Sequence, residues 1–260
     1  MTYHIDIDSH FIYAEKISLQ QSDDAPLIIF LHDAWGCAAL WGDFPEKLAA
    51  QTGCNALLYD RRGFGQSGAD KSGDRTPEYF YDEAQSLIAL VDVLHVKKTI
   101  LFGHSDGATI ALLAAAIFPE RIEALMVESP HTFLEECGLK AVAETARKAQ
   151  GTNLIQALEK YHGSKAQALF DKWKNCWASE DFAGWNLIPE LENIKCPVLA
   201  FRGENDVFDS HEQLYQLKAH LQSSVEIKII PEAAHSPHKE APESTLKACI
   251  EWLGNCHLKG

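Results

Sequence analysis

Ser105 stands in the run Gly103-His104-Ser105-Asp106-Gly107, with a glycine two residues away on either side. The apolar stretch TILFGH at 99–104 leads into it, and the small-residue stretch GATIALLAAAIF at 107–118 follows. A strand turning sharply into a helix strains the residue at the turn, and small neighbours let the two elements approach. G-x-S-x-G is common as a chance pattern, but between a strand and a helix it presents a nucleophilic serine. A serine hydroxyl is weak at neutral pH. It needs a nearby base, usually histidine, and a carboxylate that fixes the base's tautomer.

Both follow later in the chain. Asp206 lies just past the apolar run PVLAFRG at 197–203, and His235 lies just past VEIKIIP at 225–231. Strand ends of this kind are where open α/β sheets collect ligand and catalytic residues. Glu204 and Asp209 compete with Asp206, whose reach is better. His238 is the rival of His235, but it is further from the strand end and suits a supporting or surface position. His104 is expected to pack beneath the turn, and His131 either lines the pocket or packs. A tetrahedral intermediate also needs backbone donors. The N–H of Asp106 is one, and the N–H of Ala34, in the loop after PLIIFLH, is the other. No triad of metal ligands, phosphate loop or dinucleotide fingerprint is apparent, so neither metal nor cofactor is expected.

The elements that must position these groups alternate. Strand patterns at 11–17, 26–32, 54–60, 99–104, 122–129, 197–203 and 225–231 are separated by helical patterns at 41–51, 78–96, 107–118 and 211–221, with a last helix from 242. Such alternation implies an α/β fold: a mainly parallel sheet with helices on both faces. Residues 131–190 break the rhythm with helical patterns and the aromatics Tyr161, Phe170, Trp173, Trp177, Phe182 and Trp185. They are read as a helical cap insertion, leaving 1–130 and 191–260 as the core. Some of these aromatics bury the insertion itself. Trp173 and Trp177 are expected at the substrate together with Asp33, Trp35, Asp106 and His131, because ligand pockets are mostly apolar and aromatic.

The formal charge is −14 from 23 Lys and Arg against 37 Asp and Glu, which repels phosphate backbones and anionic lipid surfaces. Nucleic acid and membrane partners are therefore not expected; a small-molecule substrate and a monomer or homodimer are. Seven cysteines without metal or disulfide spacing read as reduced thiols. With no leader pattern and no membrane-length apolar run, the expected compartment is the cytoplasm.

The order of motifs resembles the α/β-hydrolase superfamily over nearly the whole chain: HDAWG at 32–36, DRRGFGQS at 60–67, GHSDGA at 103–108, GENDVF at 203–208 and AAHSPHKEAPE at 233–243. That resemblance implies the α/β-hydrolase fold and the chain order Ser105, Asp206, His235. Members usually have His-Gly where this chain has His32-Asp33, which sets a carboxylate beside the oxyanion loop. It is similar to a subgroup with an acidic residue there, followed by Leu40-Trp41-Gly42-Asp43-Phe44-Pro45. The Ser-Asp-Gly turn also resembles that of amino-acid ester hydrolases of the valacyclovir hydrolase type. In those enzymes the carboxylate after the nucleophile holds an ammonium group, which implies that Asp106, together with Asp33, favours amine-bearing esters. The alternative is an Asp106 that caps the helix.

The expected function is cleavage of a small carboxylic ester through an acyl-enzyme on Ser105. Carbon–carbon hydrolysis or perhydrolysis on the same residues, and a non-catalytic receptor, are the alternatives. Dehalogenases and epoxide hydrolases of this fold carry Asp where this chain has Ser105.

Overall fold

The runs LIIFL, NALLY, TILFGH, IEALMVE and VLAFRG have no polar face, so they become strands covered on both sides. In the computed structural model, which describes residues 1–7, 9–17 and 25–256, they are β3 (Leu27–Leu31), β4 (Asn55–Tyr59), β5 (Thr99–His104), β6 (Ile122–Glu128) and β7 (Val198–Gly203). With β1 (Thr2–Ile7), β2 (His10–Ile17) and β8 (Val225–Ile230) they form one eight-stranded sheet in the order β1-β2-β4-β3-β5-β6-β7-β8. Only β2 runs antiparallel to its neighbours.

The helices are α1 (Phe44–Thr52), α2 (Glu78–Val93), α3 (Asp106–Ile117), α4 (Glu136–Ala149), α5 (Leu154–His162), α6 (Ala166–Trp177), α7 (Ile188–Leu191), α8 (Glu212–His220), α9 (Pro237–Glu240) and α10 (Pro242–Asn255). Two apolar cores flank the sheet. One joins α1 and α10 to it through residues such as Trp41, Phe44, Phe102 and Trp252. The larger one gathers α2, α3 and the aromatics Trp173, Trp177 and Trp185. Nearly every side chain of α3 is buried, which explains its composition of alanine and other small residues.

Strand β1 is an element that the sequence pattern missed, as is the short α9. Only Ile5 and Ile7 of TYHIDI are buried, because this edge strand pairs with β2 alone. Between β6 and β7 the chain makes α4 to α7, plus one bridge between Phe133 and Asn186. These helices rest on loops that follow the C-terminal ends of β3 and β4. His162 meets Trp35 O and Gly65 N, and Lys165 Nζ donates to the carbonyls of Phe64, Gly65 and Ser67. All seven cysteines are free. No helix among the described residues is long and apolar enough to cross a membrane.

Candidate active site

Ser105 follows β5 with φ 55° and ψ −121°, a strained conformation for a residue with a side chain. The flanking glycines make it sterically feasible. A Cβ on Gly103 would lie 2.3 Å from Gly107 O, and one on Gly107 would lie 2.1 Å from Leu31 O. The N–H of Ser105 donates to Glu128 O (2.9 Å), tying the turn to the end of β6.

Asp206 and His235 follow β7 and β8 and converge on the serine. His235 Nε2 lies 2.9 Å from Ser105 Oγ, while its Nδ1 lies 3.0 and 2.9 Å from the two oxygens of Asp206. Burial disfavours a charged His235, but the Asp206 carboxylate outweighs it and raises the imidazole pKa above its usual value. Asp206 is itself drawn well below the usual carboxylate range, because His235, the Phe208 N–H and Arg202 overcome the cost of burial. Arg202 Nη2 donates to Asp206 O (3.0 Å) and to Asp209 O, so one guanidinium anchors the loop carrying both aspartates.

A cavity of about 270 Å³ opens in front of Ser105. Asp33, Ala34, Trp35, His131 and His235 line it beside the serine, with Trp173 and Trp177 from α6. Of the other aromatics in that segment, Phe182 and Trp185 pack against Phe80, and Tyr161 is exposed. Three carboxylates, on Asp33, Glu135 and Asp209, share the wall, and no lysine or arginine does.

Asp33 folds over Gly36, its Oδ1 2.0 Å from where a Cβ there would stand. Burial pushes its pKa up, but His104, Lys239 and His32 draw it down to about 2. Arg61, fully buried, holds the same loop by donating to His32 O (3.2 Å) and Asp33 O (2.8 Å). Among the described residues, the N–H groups of Ala34 and Asp106 have no backbone or side-chain acceptor.

Asp106 is placed differently from the other expected substrate residues. It is the first residue of α3 but is not in the cavity wall, and no side chain caps that helix start. Its Oδ1 is buried without a hydrogen-bond partner, and its charge is felt by Arg61, Tyr79 and His131.

His238 is buried, not at the surface. It makes no hydrogen bond to Ser105; its Nδ1 lies 2.7 Å from Glu128 Oε2, and its N–H donates to Glu128 Oε1 (2.7 Å). His104 packs beneath the turn, as its position suggests. Burial pushes its pKa down to about 4, and its Nε2–H donates to His235 O (2.8 Å). His104, Glu128 and His238 have ligand atoms within 4.8 Å of one another, a cluster with metal-ligand chemistry that no sequence spacing revealed. A cation there would have to displace the bonds between Glu128 and His238.

His131 and Asp209 form a second pair. His131 Nε2 lies 3.2 Å from Ser105 Oγ, and His131 Nδ1 lies 2.8 Å from Asp209 Oδ2. The sequence offers each residue separately, but nothing in it couples positions so far apart.

The family model described as the alpha/beta hydrolase family matches residues 28–248. This chain belongs to the alpha/beta hydrolase family. Among curated members, a 2-(acetamidomethylene)succinate hydrolase from Mesorhizobium japonicum is 23% identical, with 91% of each chain covered. The serine hydrolase BPHL from Mus musculus is 26% identical, over 70% of this chain and 63% of its own. A solved hydrolase of 2-hydroxy-6-oxo-6-phenylhexa-2,4-dienoate from a Rhodococcus species superposes with a TM-score of 0.80 at 14% identity, covering 96% of this chain and 97% of that one. This alpha/beta hydrolase therefore has hydrolases as relatives.

Proposed function

We propose that this hydrolase cleaves small carboxylic esters through an acyl-enzyme on Ser105. The observation that carries the reading is the hydrogen-bonded chain Ser105–His235–Asp206 at the wall of the cavity. His235 takes the serine proton as Oγ attacks the carbonyl carbon, and Asp206 stabilises the imidazolium. The free N–H groups of Ala34 and Asp106 suit the oxyanion. Water then releases the acyl group. Helices α4 to α6 act as a cap over this chemistry. At about 270 Å³ the cavity is at the small end of ligand pockets, which favours short acyl groups.

Fluorophosphonate labelling tests the reading. Wild type should label and turn over short-chain esters, and Ser105→Ala should do neither, with kcat falling by about 10⁴-fold or more. A folded wild type that resists the probe would favour a receptor. Turnover of a vinylogous diketone without esterase activity would favour carbon–carbon hydrolysis, and turnover with peroxide alone would favour perhydrolysis.

The acidic wall supports a narrower reading, that the ester carries an amine. Asp33 and Glu135 line the cavity, whereas Asp106 does not, so this reading gives the ammonium to Asp33 and Glu135. Wild type should prefer an amino-acid ester over its des-amino analogue by kcat/KM, and Asp33→Asn should shrink the preference by about 10- to 150-fold, the worth of one charge-assisted bond. Equal rates for the two esters in wild type would remove this reading.

A further inference from the structure

Ser105 Oγ sits between two imidazoles. His235 Nε2 is 2.9 Å away and His131 Nε2 is 3.2 Å away, and the rings lie 24° from parallel. Each ring has a carboxylate at its other nitrogen: Asp206 at His235 Nδ1 and Asp209 at His131 Nδ1. The helix that begins directly after Ser105 also fixes His131. Thr109 on α3 donates its hydroxyl to His131 O (2.9 Å) and accepts the His131 N–H (3.2 Å). The segment after His131 is tied to the chain around Asp209. Gln213 Oε1 accepts from Thr132 N–H (2.7 Å), and Glu135 accepts from Ser210 N–H (3.0 Å).

Counting protons sets the charge of this array. A carboxylate only accepts, so His235 Nδ1, hydrogen-bonded to Asp206, carries hydrogen, and His131 Nδ1, at ion-pair distance from Asp209, is favoured to carry one as well. The serine hydroxyl has one hydrogen and can donate it to only one Nε2. The remaining Nε2 completes a hydrogen bond to the same oxygen only by donating, and a ring that donates from both nitrogens is an imidazolium. The shorter contact gives the serine hydrogen to His235 and leaves the extra proton on His131.

We propose that His131, held by Asp209, is a second acid–base residue on Ser105 that protonates the leaving group while His235 serves as base. This rests on the acyl-enzyme reading above. Ser105 Oγ bonds to the carbonyl carbon as its proton passes to His235 Nε2. The bond to the leaving group then breaks, and the His131 Nε2–H proton goes to the departing oxygen or nitrogen. His131 is now neutral and His235 is charged. Water attacks the acyl carbon and gives its proton to His131 Nε2. The acyl–Oγ bond breaks, and His235 returns its proton to Ser105. Ester or amide plus water becomes acid plus alcohol or amine, with both rings restored. The substrate class this favours is acyl compounds with strongly basic leaving groups, namely alkyl alcohols and amines, which depart only when protonated.

The ionisable groups around the pair allow both charge states. His131 faces Asp209 from the loop after β7, Asp106 from α3, Asp206, and His235. His235 faces Asp206, Asp209 and His131, with the His104 ring 5.3 Å away. Burial opposes charge on either ring, but the carboxylates outweigh it and hold both above the usual histidine value. The pH profile of kcat/KM is therefore a bell. It rises as the doubly charged pair loses one proton and falls as the pair loses its second, and both midpoints belong to the pair.

The test uses the full-length enzyme with acetate esters of graded leaving-group basicity, over a pH range, in wild type, His131→Gln and Asp209→Asn. Wild-type rates should depend weakly on leaving-group basicity. Both variants should lose about 100-fold or more on alkyl esters but under about 10-fold on 4-nitrophenyl acetate, whose leaving group needs no proton. Both should also lose the alkaline limb of the bell. Equal slowing of all esters with the bell intact overturns the assignment, as does a steep wild-type dependence on leaving-group basicity, which needs no variant to fold. In either case, fluorophosphonate labelling of Ser105 leaves the acyl-enzyme reading standing; absence of labelling in folded wild type removes both.

Discussion

Glu128 shows how a buried charge can organise the residues behind the serine. It is fully buried, accepts from both the N–H and the Nδ1 side of His238, and offers its own backbone carbonyl to Ser105 N–H. Burial raises its pKa, but His238 and His104 outweigh burial and hold it below the usual value. A carboxylate depressed in the folded state stabilises above its unfolded pKa, and that stability is lost as pH falls through the lower folded value. Removing one member of a buried pair leaves the other uncompensated. Glu128→Met should cost about 3–5 kcal/mol at neutral pH and less in acid. Urea unfolding at the two pH values measures this, and a loss below about 1 kcal/mol at neutral pH would show that the pair contributes nothing.

At the scale of elements, legibility followed distance along the chain. The strand–turn–helix around Ser105 is local, so glycine spacing and two apolar runs suffice to place it, and the strand at 99–104 matches its pattern residue for residue. Asp206 and His235 were readable because each directly follows a strand of the same sheet. Strand β1 escaped because an edge strand with two buried isoleucines carries too little apolar signal. The pairings His131–Asp209 and Glu128–His238 escaped for a different reason. Each joins segments distant in sequence that the sheet order brings together, and composition does not encode which carboxylate meets which imidazole. Arg61 and Arg202, to which the sequence assigns no role, are both buried beneath site loops. Their signal is an arginine just after or at the end of a buried strand, a position where surface and buried arginines share the same local pattern.

For the whole molecule, the question is how α4 to α6 stay seated. The Lys165 ammonium takes three backbone carbonyls of the loop after β4, at 3.2, 2.7 and 2.6 Å. His162 receives Gly65 N–H on Nδ1 and donates from Nε2 to Trp35 O, which requires a neutral ring. Burial lowers its pKa, so this anchor is intact above the unfolded histidine value and weakens as pH falls below it. Lys165→Met leaves the carbonyls without their donor and should cost about 1–3 kcal/mol, felt locally. Hydrogen exchange should quicken across 154–177 while β5 stays protected; uniform exchange would mean that the segment and the sheet open together.

The loop from 203 to 209 has a consequence for tolerance to error. One guanidinium, on Arg202, grips the carbonyls of both Asp206 and Asp209. The two histidine–carboxylate pairs are therefore not redundant. Under the proposed mechanism, a shift of that single anchor would displace both carboxylates at once, so neither pair could back up the other.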